Sequence, residues 1–107
     1  MTGIHGTPKT TFSVQIESPD QLKSISLQEL SIYRKQIDDD LILLFEYLDK
    51  NLKADMNTNL VTPDGFPRND IDVAQIRFCR AKILRLQNDY KWVSNELLEK
   101  MQIKFGK

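Results

Sequence analysis

The chain has 107 residues, and its 15 lysines and arginines are balanced by 15 aspartates and glutamates. That length builds one small domain with a shallow core, and the even charge argues against a dedicated nucleic-acid or membrane-surface protein, which carries a basic excess. The single Cys79 excludes an intramolecular disulfide framework, no apolar run reaches bilayer-spanning length, and the opening MTGIHGTPKT lacks the apolar segment of a secretory signal.

These features predict a soluble protein or fragment of the reducing cytoplasm and nucleus. Residues 1–24, rich in Thr, Ser, Gly and Pro, read as a flexible or strap-like N-terminal segment. Phe12, Val14 and Ile16 alternate with polar residues, a strand-like signal with no sheet to join. Such a segment, where ordered, lies as an extended strap along helices. Ser18-Pro19-Asp20-Gln21 can open a short helical turn, with Ser18 as cap and Pro19 in first position.

The first long helix is expected over about 26–55. Ser26-Leu27-Gln28-Glu29 has the form of a capping box, and Ile25 and Leu30 occupy the positions of a hydrophobic staple. Leu27, Leu30, Ile37, Leu41, Leu44 and Leu48 then follow a three-four spacing, with Arg34 in the one polar slot. A seam of that kind packs lengthwise on another helix.

A connector follows over about 56–69. Thr62-Pro63-Asp64-Gly65 fits a tight turn, and Phe66 is pushed toward extended geometry by Pro67. Leu60, Val61 and Phe66 are more apolar than a solvated linker needs. On composition alone the connector reads equally as a hinge that fixes register or as a docking tip exposing Pro63, Asp64, Phe66 and Arg68. The second helix is expected over about 70–103, capped by Asn69 or Asp70 and stopped near Gly106. Its seam is Ile76, Cys79, Ile83, Leu86, Tyr90, Val93 and Leu97.

Two matched seams predict an all-α fold, an antiparallel two-helix hairpin of coiled-coil character occupying residues 25–107. Folding back at Pro63 places Asp38-Asp39-Asp40 opposite Arg77, Arg80, Lys82 and Arg85, which predicts salt bridges between the arms. Ile42, Phe45, Ile71, Phe78 and Trp92 lie off the seams. They are expected to be covered by the strap, a second copy or a partner.

No arrangement carries catalytic chemistry, and no cofactor or metal site is expected. His5 reads as a tail residue and Cys79, on the seam, as a small core hydrophobe. Asp38-Asp39-Asp40 points in three directions along a helix and reads as a solvated face. The seams can also drive self-association, so a monomer or weak homodimer is expected.

The stretch LVTPDGFPRNDIDVAQIR, followed by LQNDY at Leu86–Tyr90 and preceded by ISLQELSIYRKQID in the first helix, carries a family signal. It closely resembles the N-terminal domain of the 26S proteasome non-ATPase regulatory subunit nine family, from about Ile25 to Met101. The most specific positions are Leu60, Val61, Gly65, Phe66, Pro67, Arg68, Asp70, Ile71 and Asp72. The resemblance implies a non-catalytic proteasome assembly chaperone. Its helical N-domain holds the small C-terminal domain of one regulatory-particle ATPase subunit while the base assembles, then leaves.

In that family a PDZ domain follows, associated with recognition of the ATPase tail. The chain ends at Lys107, so it looks like an excised N-domain, and tail recognition is not carried over. The contact surface is expected at Val61, Pro63, Asp64, Gly65, Phe66, Pro67, Arg68, Asp70, Ile71, Asp72 and Gln75. An exposed aromatic and an arginine at its centre suit a docking patch. The alternative function is a self-associating coiled-coil scaffold without an ATPase client.

Overall fold

The structure, a computed structural model, describes residues 8–105, with side chains through residue 102. His5 and the expected stop at Gly106 lie outside these residues. Helix α1 spans Leu27–Lys50 and helix α2 spans Val73–Phe105, preceded by a 3-10 turn over Pro19–Ser24. Early α1 meets late α2 at Arg34 and Tyr90, and late α1 meets early α2 at Leu44 and Cys79. The pair is therefore antiparallel, and the molecule extends 59 Å along its long axis.

The two seams face each other as the spacing predicts. Leu30, Ile37, Leu44 and Leu48 of α1 are buried against Ile76, Cys79, Ile83, Leu86, Val93 and Leu97 of α2. Leu27, Leu41 and Tyr90 lie half-buried at the edges of this layer. The polar slot is matched too. Arg34 donates from Nε to the Tyr90 hydroxyl at 3.2 Å, and its guanidinium carbon stands 5.6 Å from the Tyr90 ring centre. The Cys79 thiol donates to the Leu44 carbonyl at 3.6 Å, and burial pushes its pKa up, so it sits as a core residue.

Helix α1 begins as expected, with Ser26 Oγ accepting from the Glu29 N–H at 3.1 Å and Ile25 packed against the core beside buried Leu30. Its end differs from the expected residue 55. After Lys50 the chain turns back, so that Leu52 and Ala54 bury against the core instead of extending the rod into water. The Leu52 N–H reaches the Tyr47 carbonyl, and the Ala54 N–H reaches that of Leu48. Lys53, between them, sits at φ 55°. This left-handed conformation crowds a side chain's Cβ, which glycine avoids. Lys53→Gly is therefore expected to raise stability by up to about 1 kcal/mol, read as a higher urea midpoint at unchanged m-value.

Helix α2 starts later than residue 70, and neither Asn69 nor Asp70 is its cap. Asp72 Oδ1 accepts from the Gln75 N–H at 3.1 Å, and the Asp72 carbonyl accepts the first helical bond from Ile76. Asp70 is engaged by Arg68 and so is not available to the helix end.

The segment before α1 takes the strap form. Phe12 and Ile16 are buried, and the Phe12 ring meets Tyr33 edge-on with centroids 5.3 Å apart. Val14, which alternates with them in sequence, stays more than a third exposed at 37%. Leu22 of the 3-10 turn is buried, and Lys23 bridges to Glu96 and Glu99 on α2.

Asp40 is a correction to the solvated-face reading. Only 1% of it is exposed. A lone extended segment has no neighbouring strand to accept its N–H groups, and buried donors must be satisfied. Asp40 supplies the acceptors: Oδ1 takes the Thr11 N–H at 2.9 Å and the Thr11 hydroxyl at 3.0 Å, and Oδ2 takes the Phe12 N–H at 2.8 Å. The expected salt bridges between the arms are also replaced. Among the described residues no ion pair joins Asp38, Asp39 or Asp40 to Arg77, Arg80, Lys82 or Arg85. Lys35 pairs with Asp39 along α1, while Arg80 turns to the connector and Arg85 to Gln15 of the strap.

Candidate functional site

The connector is braced at three levels. At its start, Asp55 closes a small knot, accepting from the Asn57 N–H at 2.8 Å and the Thr58 hydroxyl at 3.0 Å. Those donors, the Asn57 N–H foremost, hold its pKa below the usual carboxylate value of 3.8. Arg80 of α2 reaches across to this knot, giving Nε and Nη2 to the Asp55 carbonyl at 3.0 and 2.7 Å and Nη2 to the Thr58 carbonyl at 2.6 Å.

The middle is a miniature hairpin. Val61 and Pro67 form an isolated antiparallel bridge, flanked by Arg68 N–H to the Leu60 carbonyl at 3.0 Å and Thr62 N–H to the Phe66 carbonyl at 2.7 Å. The Gly65 N–H closes the turn onto the Thr62 carbonyl at 2.9 Å, and Gly65 lies at φ 90°. A three-residue loop with glycine at positive φ in its last position is a favoured hairpin form. It explains why Pro63, Asp64 and Gly65 stand in that order.

The exit is locked by Arg68. Its Nε and Nη2 give two bonds to Asp70 at 3.1 and 2.8 Å, and Nη1 donates to the Asn59 carbonyl at 2.9 Å. The pairing lowers the Asp70 pKa, chiefly through the Arg68 hydrogen bonds. Because both Asp55 and Asp70 are shifted down, their contribution is present above the unfolded value near 3.8 and fades as pH falls through the lowered folded values.

Ten of the eleven residues expected at the contact surface thus fall into two groups, with Ile71 apart from both. Val61, Pro63, Asp64, Gly65, Phe66 and Pro67 form the exposed hairpin, with Phe66 at 67% exposure the most prominent apolar side chain. Arg68, Asp70, Asp72 and Gln75 sit at the exit and cap, where Arg68 and Asp72 are engaged internally. Ile71 is half-buried against the core, and Leu60 is buried beneath the hairpin.

A second feature lies alongside. Between the strap at residues 10–15 and the α2 face from Phe78 to Asp89 runs an open groove of about 570 Å³. Phe12, Val14, Phe78 and Leu86 line it, with Lys82 and Arg85 among its polar residues and Asp89 as its acid. Phe78 is 53% exposed there. Of the other off-seam apolar residues, Ile71 and Trp92 pack against the core, whereas Ile42 and Phe45 remain exposed. Among the described residues no group of His, Cys, Asp or Glu is placed to hold a metal ion, and no described helix is long and apolar enough to cross a membrane.

A helical hairpin with a braced, aromatic-tipped connector suits a surface that another protein meets. The family model of the Nas2 N-terminal domain matches residues 27–106, which takes in both helices and the whole connector. The chain belongs to the Nas2 N-terminal domain family. It is similar to the probable 26S proteasome regulatory subunit p27 of Saccharomyces cerevisiae, at 35% identity over 78% of this chain and 36% of the relative. The Schizosaccharomyces pombe protein of the same description shows 35% identity over 82% of this chain and 40% of its own length. The 26S proteasome non-ATPase regulatory subunit 9 of Drosophila melanogaster shows 39% identity over 66% and 32%.

No solved structure matches the chain. This member of the Nas2 N-terminal domain family spans about a third to two fifths of the length of those relatives. By their descriptions the relatives are regulatory subunits of the 26S proteasome.

Sequence reasoning missed Asp40, Arg80 and Asp89 as structural or groove residues. For the two acids a signal was present. Asp40 lies three residues after Ile37 and four before Leu44, and Asp89 lies three after Leu86 and four before Val93. Both occupy the spacing of the buried stripe, and both are buried. For Arg80 no local signal existed, because its partners are backbone carbonyls 22 and 25 residues away.

Proposed function

We propose that this domain binds the small C-terminal domain of one ATPase subunit of the 26S proteasome regulatory particle and masks its surface while the base assembles. Family membership supports the proteasomal setting. The observation that carries the docking role is the connector hairpin, which holds Phe66 out in solvent while Arg80, Arg68 and the Val61–Pro67 bridge fix its backbone. A rigid aromatic presented this way loses little freedom on binding and makes an effective anchor. The mechanism is steric occupancy with no chemical step. A cytoplasmic and nuclear location goes with this reading.

The hairpin favours this over a self-associating scaffold, since the two seams that could drive assembly cover each other within one chain. A pull-down with the isolated C-terminal domains of the six proteasomal ATPases tests the client. Because Arg68 braces the connector, Arg68→Glu would disturb the fold of the tip, and Phe66→Ala with Val61→Ala is the cleaner variant. It is expected to weaken binding by about tenfold or more, about 1.4 kcal/mol, with helix content unchanged by circular dichroism. Undiminished binding would move the interface to the faces around Phe78.

A further inference from the structure

The segment before α1 lies along one flank of the helical pair. It is held by residues that directly precede seam positions: Tyr33 before Arg34 and Asp40 before Leu41 on α1, and Glu96 before Leu97 on α2. Residues that directly follow seam positions stand about 100° the other way round each helix. They make up the opposite flank. On α1 these include Asp38, Ile42, Phe45 and Asp49, and on α2 Arg77, Leu84, Lys91 and Leu98. Their spacing repeats that of the seams, so each helix carries a second row fit to pack on a further helix.

That second row is apolar and uncovered. Ile42, Leu84 and Leu98 are each more than half exposed, and Phe45 is 39% exposed. Its charges are sorted by helix, with Asp38 and Asp49 on α1 and Arg77 and Lys91 on α2. None of the four forms an ion pair among the described residues. The other two cations of this flank are engaged, Lys35 with Asp39 and Arg80 with the connector. A surface with acids along one side, bases along the other and apolar side chains between them is complementary to itself under a two-fold rotation.

We propose that two copies of this domain associate through this flank as a four-helix bundle, α1 of each copy lying on α2 of the other. Ile42 of one copy then meets Leu84 of its partner. Arg77 and Lys91 stand seven residues to either side of Leu84. Asp38 and Asp49 therefore each come within about one turn of a base, whichever way the partner helix runs. Laying α1 on α1 would instead set acid against acid. The face runs the 24 residues of α1, about 36 Å, and is about 20 Å wide across two helices. Roughly 700 Å² per copy approaches the roughly 800 Å² of an ordinary specific interface. The seams stay within each chain, and the connector hairpin lies past the end of α1 and the start of α2, outside the contact. The association rests on this chain's own residues and is independent of the ATPase reading.

Sedimentation equilibrium from about 1 to about 500 μM tests it. The mass is expected to rise from one chain to two, with a dissociation constant on the order of 10 μM. Leu84→Glu, at an exposed site, is expected to weaken association at least tenfold with helix content unchanged by circular dichroism. Asp38→Lys with Asp49→Lys leaves both helices basic on this flank, and Arg77→Glu with Lys91→Glu leaves both acidic. Each double variant alone is expected to remain a single chain, and an equimolar mixture of the two is expected to form a mixed dimer, since every facing pair is then of opposite charge. A single-chain mass at every concentration overturns the proposal, as does a dimer that Leu84→Glu weakens by less than twofold. If the unaltered chain stays monomeric and Leu84→Glu instead lowers affinity for an ATPase C-terminal domain, the flank belongs to the client and the proposal fails while the ATPase reading stands.

Discussion

Asp40→Ala is expected to destabilise the domain by about 3 kcal/mol or more and to free the strap from the helices. The carboxylate is the sole fixed acceptor for two backbone N–H groups and a hydroxyl, at 2.8 to 3.0 Å. Hydrogen bonds to a charged group contribute roughly 1.5–3 kcal/mol each, although three on one carboxylate do not simply add. After truncation two routes remain. If the strap stays, the buried Phe12 N–H is orphaned. If it leaves, Phe12 and Ile16 return to water, at about 2 kcal/mol for each side chain.

Both routes lower the unfolding free energy, and hydrogen exchange tells them apart. Release of the strap gives fast exchange at residues 11–16 while Ile83 and Val93 in the core of α2 stay protected. Asp40→Asn keeps one oxygen but turns an amide nitrogen toward one of the donors, so it is expected to recover only part of the loss. A variant as stable as the original chain would show that water replaces the carboxylate.

The fold was legible because lengthwise helix packing writes itself into side-chain spacing. Every member of the α2 seam, from Ile76 to Leu97, is buried or half-buried in the layer its periodicity indicated, and the Ser26 cap forms where the sequence places it. The connector turn was legible for a different reason. Pro63 and Gly65 restrict or permit backbone angles locally, and the structure uses both.

What was not legible involves backbone groups satisfied from far away. The end of α1 depends on Leu52 and Ala54 finding apolar cover, which local pattern does not encode. Charge complementarity between the arms misled because Arg80 found carbonyl oxygens in an exposed connector and Arg85 found Gln15. Isolated surface ion pairs contribute about 0–1 kcal/mol, too little to compete with such alternatives. At the candidate site, the exposure of Phe66 could be expected from its neighbours. The internal use of Arg68 could not, since Arg68 reads equally as an anchor and as a clamp until Asp70 and the Asn59 carbonyl are seen beside it.

Arg80→Ala carries the second large effect, and it decides between hinge and docking tip. Arg80 ties α2 to the connector backbone at the Asp55 and Thr58 carbonyls. Its removal returns both carbonyls to water, so the expected cost is about 2 kcal/mol, less than for an orphaned buried group. The consequence should reach the hairpin. Thr58 and Asn59 adjoin each other, and Arg68 fastens the Val61–Pro67 bridge to the Asn59 carbonyl. Exchange is expected to quicken from residue 54 through residue 68 while the helical seams hold. Arg80→Lys should behave nearly as alanine does, since one ammonium group cannot span two carbonyls as the fork does. If the connector serves only as a hinge, client affinity per folded molecule stays unchanged. If Phe66 must be presented on a preordered hairpin, affinity falls by about tenfold, because the client then supplies the ordering that Arg80 had supplied in advance.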